Sequence, residues 1–270
     1  MMKVRGFITH KKAEKYEDCQ DYFAINKNKG RLAISDGMSQ SIFPLWWAEE
    51  LVHAYVDNDW LPDQSKLMSL RENWQNRVNE FLESQKQNGK PTWMLENCLT
   101  EKRGAGATFC GICFKNDKEW DGYVLGDSCL IEIDSNNHIT KIYRTGKEEF
   151  NNNPDYFDSI IGGKGEVDII SGTLEKGVKL LLVTDALAEF LYSKKGNETE
   201  YVCHLLQIEK HDEFCELIDE WRESEDLHND DTTLVIIEYD ESTCLEIFVK
   251  DDLANLCDTL DNRAENACSN

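Results

Sequence analysis

The chain is short of positive charge: 29 Lys and Arg stand against 52 Asp and Glu, a formal net charge of −23. That balance excludes a protein built to grip nucleic acid or an anionic membrane, because either needs a basic face. There is no apolar run near the roughly 20 residues that cross a bilayer, so no transmembrane helix is expected. The start, Met1-Met2-Lys3-Val4-Arg5-Gly6, lacks the apolar core and small-residue cleavage site of a secretion signal. Proline is scarce, at 4 of 270 residues, and no repeat, low-complexity tract or linker divides the chain. Hydrophobic residues nevertheless make up 40%, too many for a disordered acidic polymer. The expectation is one soluble cytoplasmic domain over 1–250, followed by an acidic helix or tail over 251–270.

Ten cysteines are irregularly spaced, and without a secretion signal reduced thiols are expected. Cys110-Gly-Ile-Cys113 has the spacing of a redox or zinc pair. It lies in an apolar strand-like run, where residues three apart face opposite sides, so the pair reads as structural thiols.

Strands are expected at 3–9, 22–27 and 31–36, the last two forming a hairpin around Asn28-Lys29-Gly30. Apolar residues at helical spacing predict helices over 44–58, with Pro44 in the first turn, and 65–87. The segments 106–114, 119–125, 129–134 and 138–144 read as an antiparallel meander. The polar 146–165 stretch reads as a mobile loop near a site. A buried strand at 178–184, helices at 186–193, 198–209 and 211–224, and a hairpin of 232–239 with 243–249 complete the pattern. The fold class is α+β, antiparallel sheets with helices packed outside.

Aspartates recur where apolar strands end or begin. Leu32-Ala33-Ile34-Ser35 runs into Asp36-Gly37, and Leu180-Leu181-Leu182-Val183-Thr184 runs into Asp185. Asp127 follows Tyr123-Val124-Leu125-Gly126, Asp21 precedes Tyr22-Phe23-Ala24-Ile25, and Asp230-Asp231 precedes Thr232-Thr233-Leu234. Neighbouring antiparallel strands place one strand's exit beside the next one's entrance, so these carboxylates can converge on one sheet edge. Singly, each could serve as a turn residue or helix cap. Gathered as bare anions they would repel, and a hard divalent cation removes the conflict. Gly37 lets its carbonyl approach such an ion.

Six of these segments, in order over about 3–240, resemble the motifs of the type-2C metal-dependent Ser/Thr protein phosphatases, bacterial branch. They are Cys19-Gln20-Asp21-Tyr22-Phe23-Ala24, Ser35-Asp36-Gly37-Met38, Gly104-Ala105-Gly106-Ala107-Thr108, Gly126-Asp127-Ser128, Thr184-Asp185-Ala186-Leu187 and Asp230-Asp231-Thr232-Thr233. The resemblance implies two packed, mainly antiparallel β-sheets flanked by helices, an α/β/β/α sandwich. It also implies a binuclear Mn²⁺ or Mg²⁺ centre. Asp36 would bridge both ions, the Gly37 carbonyl would bind one, and Asp185 and Asp230 would complete the other shell. Asp21 would ligate directly or through water, a role for which Glu17-Asp18 offers another register. Asp127 would help hold a third ion. A hydroxide between the ions would hydrolyse phosphoserine or phosphothreonine in a protein substrate of a Ser/Thr kinase.

Four departures mark this chain. Gln20 stands where the family often has Glu, and Ala186 stands where it has Gly. The family's upstream phosphate-binding Arg falls near Tyr16, leaving His10, Lys11, Lys12 or Lys15 as substitutes, with His10 the assigned contact. Ser41 occupies a position where some relatives carry His. The alternative functions are a weak or inactive pseudophosphatase acting as a binding module, and a hydrolase of small phosphorylated metabolites.

Overall fold

The computed structural model describes residues 2–146, 150 and 153–239, and the backbone of 246–248. The expected acidic tail over 251–270 lies outside them, as do 147–149 and 151–152 of the expected mobile loop.

In chain order the strands are β1 (Met2–Thr9), β2 (Asp21–Asn26), β3 (Arg31–Asp36), β4 (Gly106–Ala107), β5 (Phe109–Phe114), β6 (Glu119–Leu125), β7 (Cys129–Ile133), β8 (Ile139–Tyr143), β9 (Phe157–Asp158), β10 (Asp168–Thr173), β11 (Lys179–Val183), β12 (Thr232–Tyr239) and β13 (Glu246–Phe248). The helices are α1 (Pro44–Val56), α2 (Met68–Gln87), α3 (Trp93–Thr100), α4 (Asp185–Ser193), α5 (Glu198–Gln207) and α6 (His211–Ser224). One sheet has the order β13-β1-β12-β11-β7-β8 and the other β10-β6-β5-β3-β2, with a small β4-β9 pair. Pairing is antiparallel except between β1 and β13.

The layers follow from residue alternation within strands. Leu180 and Leu182 of β11, with Val235 and Ile237 of β12, face the space between the sheets, where they meet Phe23, Ile34 and Ile112. Their neighbours Leu181, Val183, Leu234 and Ile236 face the other way, onto Leu187, Phe214 and Trp221 of α4 and α6. Central strands buried on both faces therefore read as unbroken apolar runs. On the opposite side, Trp47, Leu51 and Tyr55 of α1 cover Tyr22, Ala33 and Phe109, and Leu70, Trp74 and Val78 of α2 join that layer. The result is the expected α/β/β/α sandwich.

Local readings of the chain needed three corrections. The 106–144 strands are not one meander. β5 and β6 belong to the five-stranded sheet, whereas β7 and β8 belong to the six-stranded one. The chain changes sheet at Gly126-Asp127-Ser128, where Gly126 adopts φ +95°. A Cβ there would lie 2.5 Å from the Asp155 carbonyl oxygen and 2.7 Å from Thr108 Cγ2, so glycine is required. Residues 246–248 pair in parallel with β1, on the edge away from β12, so they are not the antiparallel hairpin partner expected for 232–239; 243–245 and 249 of that hairpin lie outside the described residues. β10 and α3 escaped the pattern because their apolar residues are not buried: Ile169 is 72% exposed, and α3 has no buried residue.

Candidate active site

β2 and β3 pair so that Asp21, which opens β2, lies directly opposite Asp36, which closes β3. β11 and β12 pair with Val183 opposite Leu234, which sets Asp185 at the exit of one beside Asp230-Asp231 at the entrance of the other. The Gly126-Ser128 crossover brings Asp127 to the same edge. Asp36, Gly37, Thr108, Asp127, Asp185 and Asp230 line one cavity of about 430 Å³. Met38, Ser39 and Gln40 form another part of its wall, and Phe150 and Pro154 bring the 146–165 segment against it. That segment is tied down through Phe157, whose carbonyl accepts from the Trp47 indole N–H at 2.9 Å.

The carboxylates occupy distinct environments. Asp21 is 1% exposed. Its Oδ2 accepts from Thr184 Oγ1 at 2.9 Å and Thr233 Oγ1 at 2.8 Å. Its Oδ1 is buried without a hydrogen-bond partner among the described residues. Burial, and then the negative charge of Asp231, push the Asp21 carboxyl well above its ordinary range, and the two threonine hydroxyls only partly oppose this. Asp36 is raised by burial and by Asp185, Asp21, Asp127 and Asp230. Asp185 is pushed up to about 8 by burial, then by Asp127 and Asp230. Asp127 is pushed up to about 6, chiefly by burial, and its Oδ1 also lacks a partner among the described residues. Desolvated carboxylates that repel one another make a site that gains free energy by taking up protons or cations.

Gly37 is confined at the end of β3. Its N–H donates to the Gln20 carbonyl at 3.2 Å, and a Cβ would stand 2.7 Å from Pro44 Cβ and 2.8 Å from that same carbonyl. The neighbouring Asp36 carbonyl accepts from Thr108 N–H at 2.9 Å. Thr108 Oγ1 meets Ser128 Oγ at 2.6 Å, which links the Gly-Ala-Gly-Ala-Thr segment to the sheet crossover.

Asp231 plays a different part from Asp230. It is 2% exposed, and its two oxygens accept from the backbone N–H of Lys11 at 3.0 Å and of Gln20 at 2.8 Å. It thus clasps both ends of the 11–20 segment. Lys11 Nζ then reaches Asp230 Oδ1 at 2.9 Å and Ser39 Oγ at 3.0 Å, both on cavity-lining residues. His10 is not among the lining residues. Its Nδ1 lies 2.8 Å from the Lys11 carbonyl, and its ring packs edge-on against Tyr16. Of the four basic candidates His10, Lys11, Lys12 and Lys15, Lys11 is the one whose charged group contacts cavity-lining residues. Ala186 fits behind Asp185, 3% exposed, and its N–H donates to Asp185 Oδ1 at 2.6 Å. Ser41 Oγ donates to the Met38 carbonyl at 2.7 Å.

Two lining residues, Glu189 and His228, escaped the sequence reading; His228 Nδ1 lies 3.5 Å from Glu189 Oε2. Glu189 stands one helical turn after Asp185 on α4, a spacing that places both on one face. No local pattern marks His228.

Among the described residues, no three His, Cys, Asp or Glu side chains form a ready-made metal cluster. Asp185 Oδ1 is turned to the Ala186 N–H, and Asp230 Oδ1 to Lys11 and the Asp231 N–H. The donors still suit a hard divalent cation. They are all oxygen, several are desolvated, and the partnerless Oδ1 atoms of Asp21 and Asp127 leave buried acceptor capacity unused.

No family model and no curated protein matches the chain. Solved structures do. The serine/threonine phosphatase of S. agalactiae aligns with TM-score 0.54 and 16% identity over 89% of this chain and 100% of that one. The catalytic domain of the serine/threonine protein phosphatase PstP, solved with two manganese ions, aligns with TM-score 0.53 and 14% identity over 88% and 97%. PppA, described as a regulatory component of the type VI secretion system in Pseudomonas aeruginosa, aligns with TM-score 0.55 and 12% identity over 88% and 97%.

Proposed function

We propose that this chain, which has the fold of the PP2C-type serine/threonine phosphatases, is a metal-dependent phosphatase of phosphoserine and phosphothreonine in proteins. The observation that carries the reading is the convergence of Asp36, Asp127, Asp185 and Asp230 on one cavity, with Asp21 buried behind Asp36. Asp36, Asp185, Asp230 and the Gly37 carbonyl would hold two Mn²⁺ or Mg²⁺ ions, with Asp21 in support and Asp127 beside a third. Bound there, the ions would offset charge on the phosphoryl oxygens and make a water molecule more acidic.

The chain's own residues do the rest. Thr184 and Thr233 hold Asp21 in one orientation through its Oδ2. Asp231 fixes the backbone of Lys11, so the ammonium sits between Asp230 and Ser39, where it can attract a phosphoryl oxygen. Lysine supplies charge without the two-pronged geometry of arginine, so it steers the phosphate more than it orients it. His228, beside Glu189 on the cavity wall, can hand a proton to the departing serine or threonine oxygen.

The test is hydrolysis of a phosphothreonine peptide by metal-stripped protein titrated with Mn²⁺, beside Asp36→Asn and Asp185→Asn. Turnover that requires Mn²⁺ and is lost in both variants is expected. One observation favours the second reading, a binding module of weak activity: Lys11 and two backbone N–H groups already occupy Asp230 and Asp185. Absence of turnover at saturating Mn²⁺ would overturn the first reading and favour the second. Faster turnover of sugar phosphates than of phosphopeptides would overturn the protein substrate.

A further inference from the structure

Where α6 packs on the helix-facing side of β1 lies a cluster that phosphate chemistry does not use. Cys215 and His211 are one turn apart on α6, and Tyr16 of the 11–20 segment closes over them. The sulfur lies 3.4 Å from the Tyr16 hydroxyl oxygen and 3.6 Å from His211 Nδ1. The other imidazole nitrogen, Nε2, is 2.7 Å from the Ile8 carbonyl oxygen. A carbonyl can only accept, so Nε2 carries a proton and Nδ1 is the basic nitrogen facing the sulfur. Nε2 has no lone pair to offer the Tyr16 hydroxyl, 3.2 Å away, and that hydroxyl lies within hydrogen-bond distance of the sulfur, an acceptor once the thiol is ionised.

The geometry points to Cys215 as a nucleophilic thiol, activated by His211 and open to modification by peroxides. The Cys215 proton can pass to His211 Nδ1. The resulting imidazolium keeps its Nε2–H on the Ile8 carbonyl, and the Tyr16 hydroxyl can donate to the thiolate. Burial alone would push this thiol up; His211, Tyr16 and Thr9 outweigh it and hold Cys215 below its ordinary value. Its partner His211 is correspondingly raised, first by the contact with Cys215. Cys19, Cys110 and Cys129 differ: each is buried, and burial pushes each thiol up.

With hydrogen peroxide as the oxidant, the sulfur lone pair attacks one peroxide oxygen. The S–O bond forms as the O–O bond breaks, and the departing hydroxide takes the His211 proton to leave as water. Sulfur is oxidised by two electrons to sulfenic acid, and the peroxide is reduced. Cys215 is partly exposed.

The test treats the folded full-length chain with graded hydrogen peroxide, then unfolds it in an alkylating reagent and maps each cysteine by mass spectrometry. Only the peroxide step samples the folded state, so access of the bulky reagent does not enter. Cys98, Cys113 and Cys203, also partly buried, serve as internal standards. Cys215 should lose half its alkylation at a peroxide dose at least tenfold below theirs, and His211→Gln should bring it into their range. Oxidation of Cys215 at the same dose as the standards in the wild-type chain would overturn the proposal without any variant. Unchanged sensitivity in a folded His211→Gln protein would overturn the role of His211.

Discussion

Neutralising Asp185 should stabilise the metal-free protein, and by more at alkaline pH. The cause is its environment: burial, Asp127 and Asp230 push its carboxyl from 3.8 to about 8. A group raised in the folded state contributes no penalty while it is protonated in both states. The penalty grows as pH rises above the unfolded value near 4 and levels off above the folded value near 8. At about 1.4 kcal/mol per pH unit, it amounts to roughly 2 kcal/mol at pH 5.5 and on the order of 5 kcal/mol at pH 8. Asp185→Asn keeps the acceptor for the Ala186 N–H and removes the charge. Its advantage over wild type should therefore widen by about 3 kcal/mol between the two pH values. At about 2–4 °C per kcal/mol, that is several degrees in Tm or more. The assay is thermal unfolding of both proteins in a chelator at pH 5.5, 6.5 and 8. Mn²⁺ added at pH 8 should recover the lost stability in wild type and do less for the variant. A variant that melts at or below wild type throughout, or a difference that does not change with pH, would refute the reasoning.

Two further outcomes follow from single contacts. Gly126→Ala forces a side chain into a φ +95° position against Asp155 and Thr108, and should cost at least about 2 kcal/mol in urea unfolding. Thr233→Val removes one of the two hydroxyl donors to Asp21 Oδ2, and should cost about 1–2 kcal/mol and raise the Mn²⁺ concentration needed for stabilisation, whereas Thr233→Ser should restore both.

The central strands were legible because burial on both faces leaves short unbroken apolar runs, while the two-sheet sandwich was implied by the motif resemblance. Leu180 to Val183 alternates between the inter-sheet core and the helix layer, and both faces are apolar. Helices α1 and α2 were legible because Trp47, Leu51, Tyr55, Leu70, Trp74 and Val78 recur at helical spacing and are buried at it. β10 was not legible: its place depends on backbone pairing with β6, and its side chains are mostly exposed. The sheet change between β6 and β7 left no trace in alternation, since a strand carries the same pattern in either sheet.

The carboxylates of the site divide in the same way. By itself the sequence determined which aspartates flank apolar strands, where the chain leaves the sheet; the pairing of β2 with β3 then set Asp21, rather than Glu17-Asp18, opposite Asp36. Asp21, Asp36, Asp127, Asp185 and Asp230 all flank strands in this way. Only the tertiary structure decided what each does there. It separated Asp230, which lines the cavity, from Asp231, which clasps Lys11 and Gln20. It turned Lys11 to the cavity and His10 against Tyr16, and it paired Cys215 with His211 beneath Tyr16. The physical reason is range. Periodicity encodes which face of an element is buried, a local property. The direction of a lysine, or the proton affinity of a thiol, depends on groups up to 200 or so positions away that only the folded chain brings within reach.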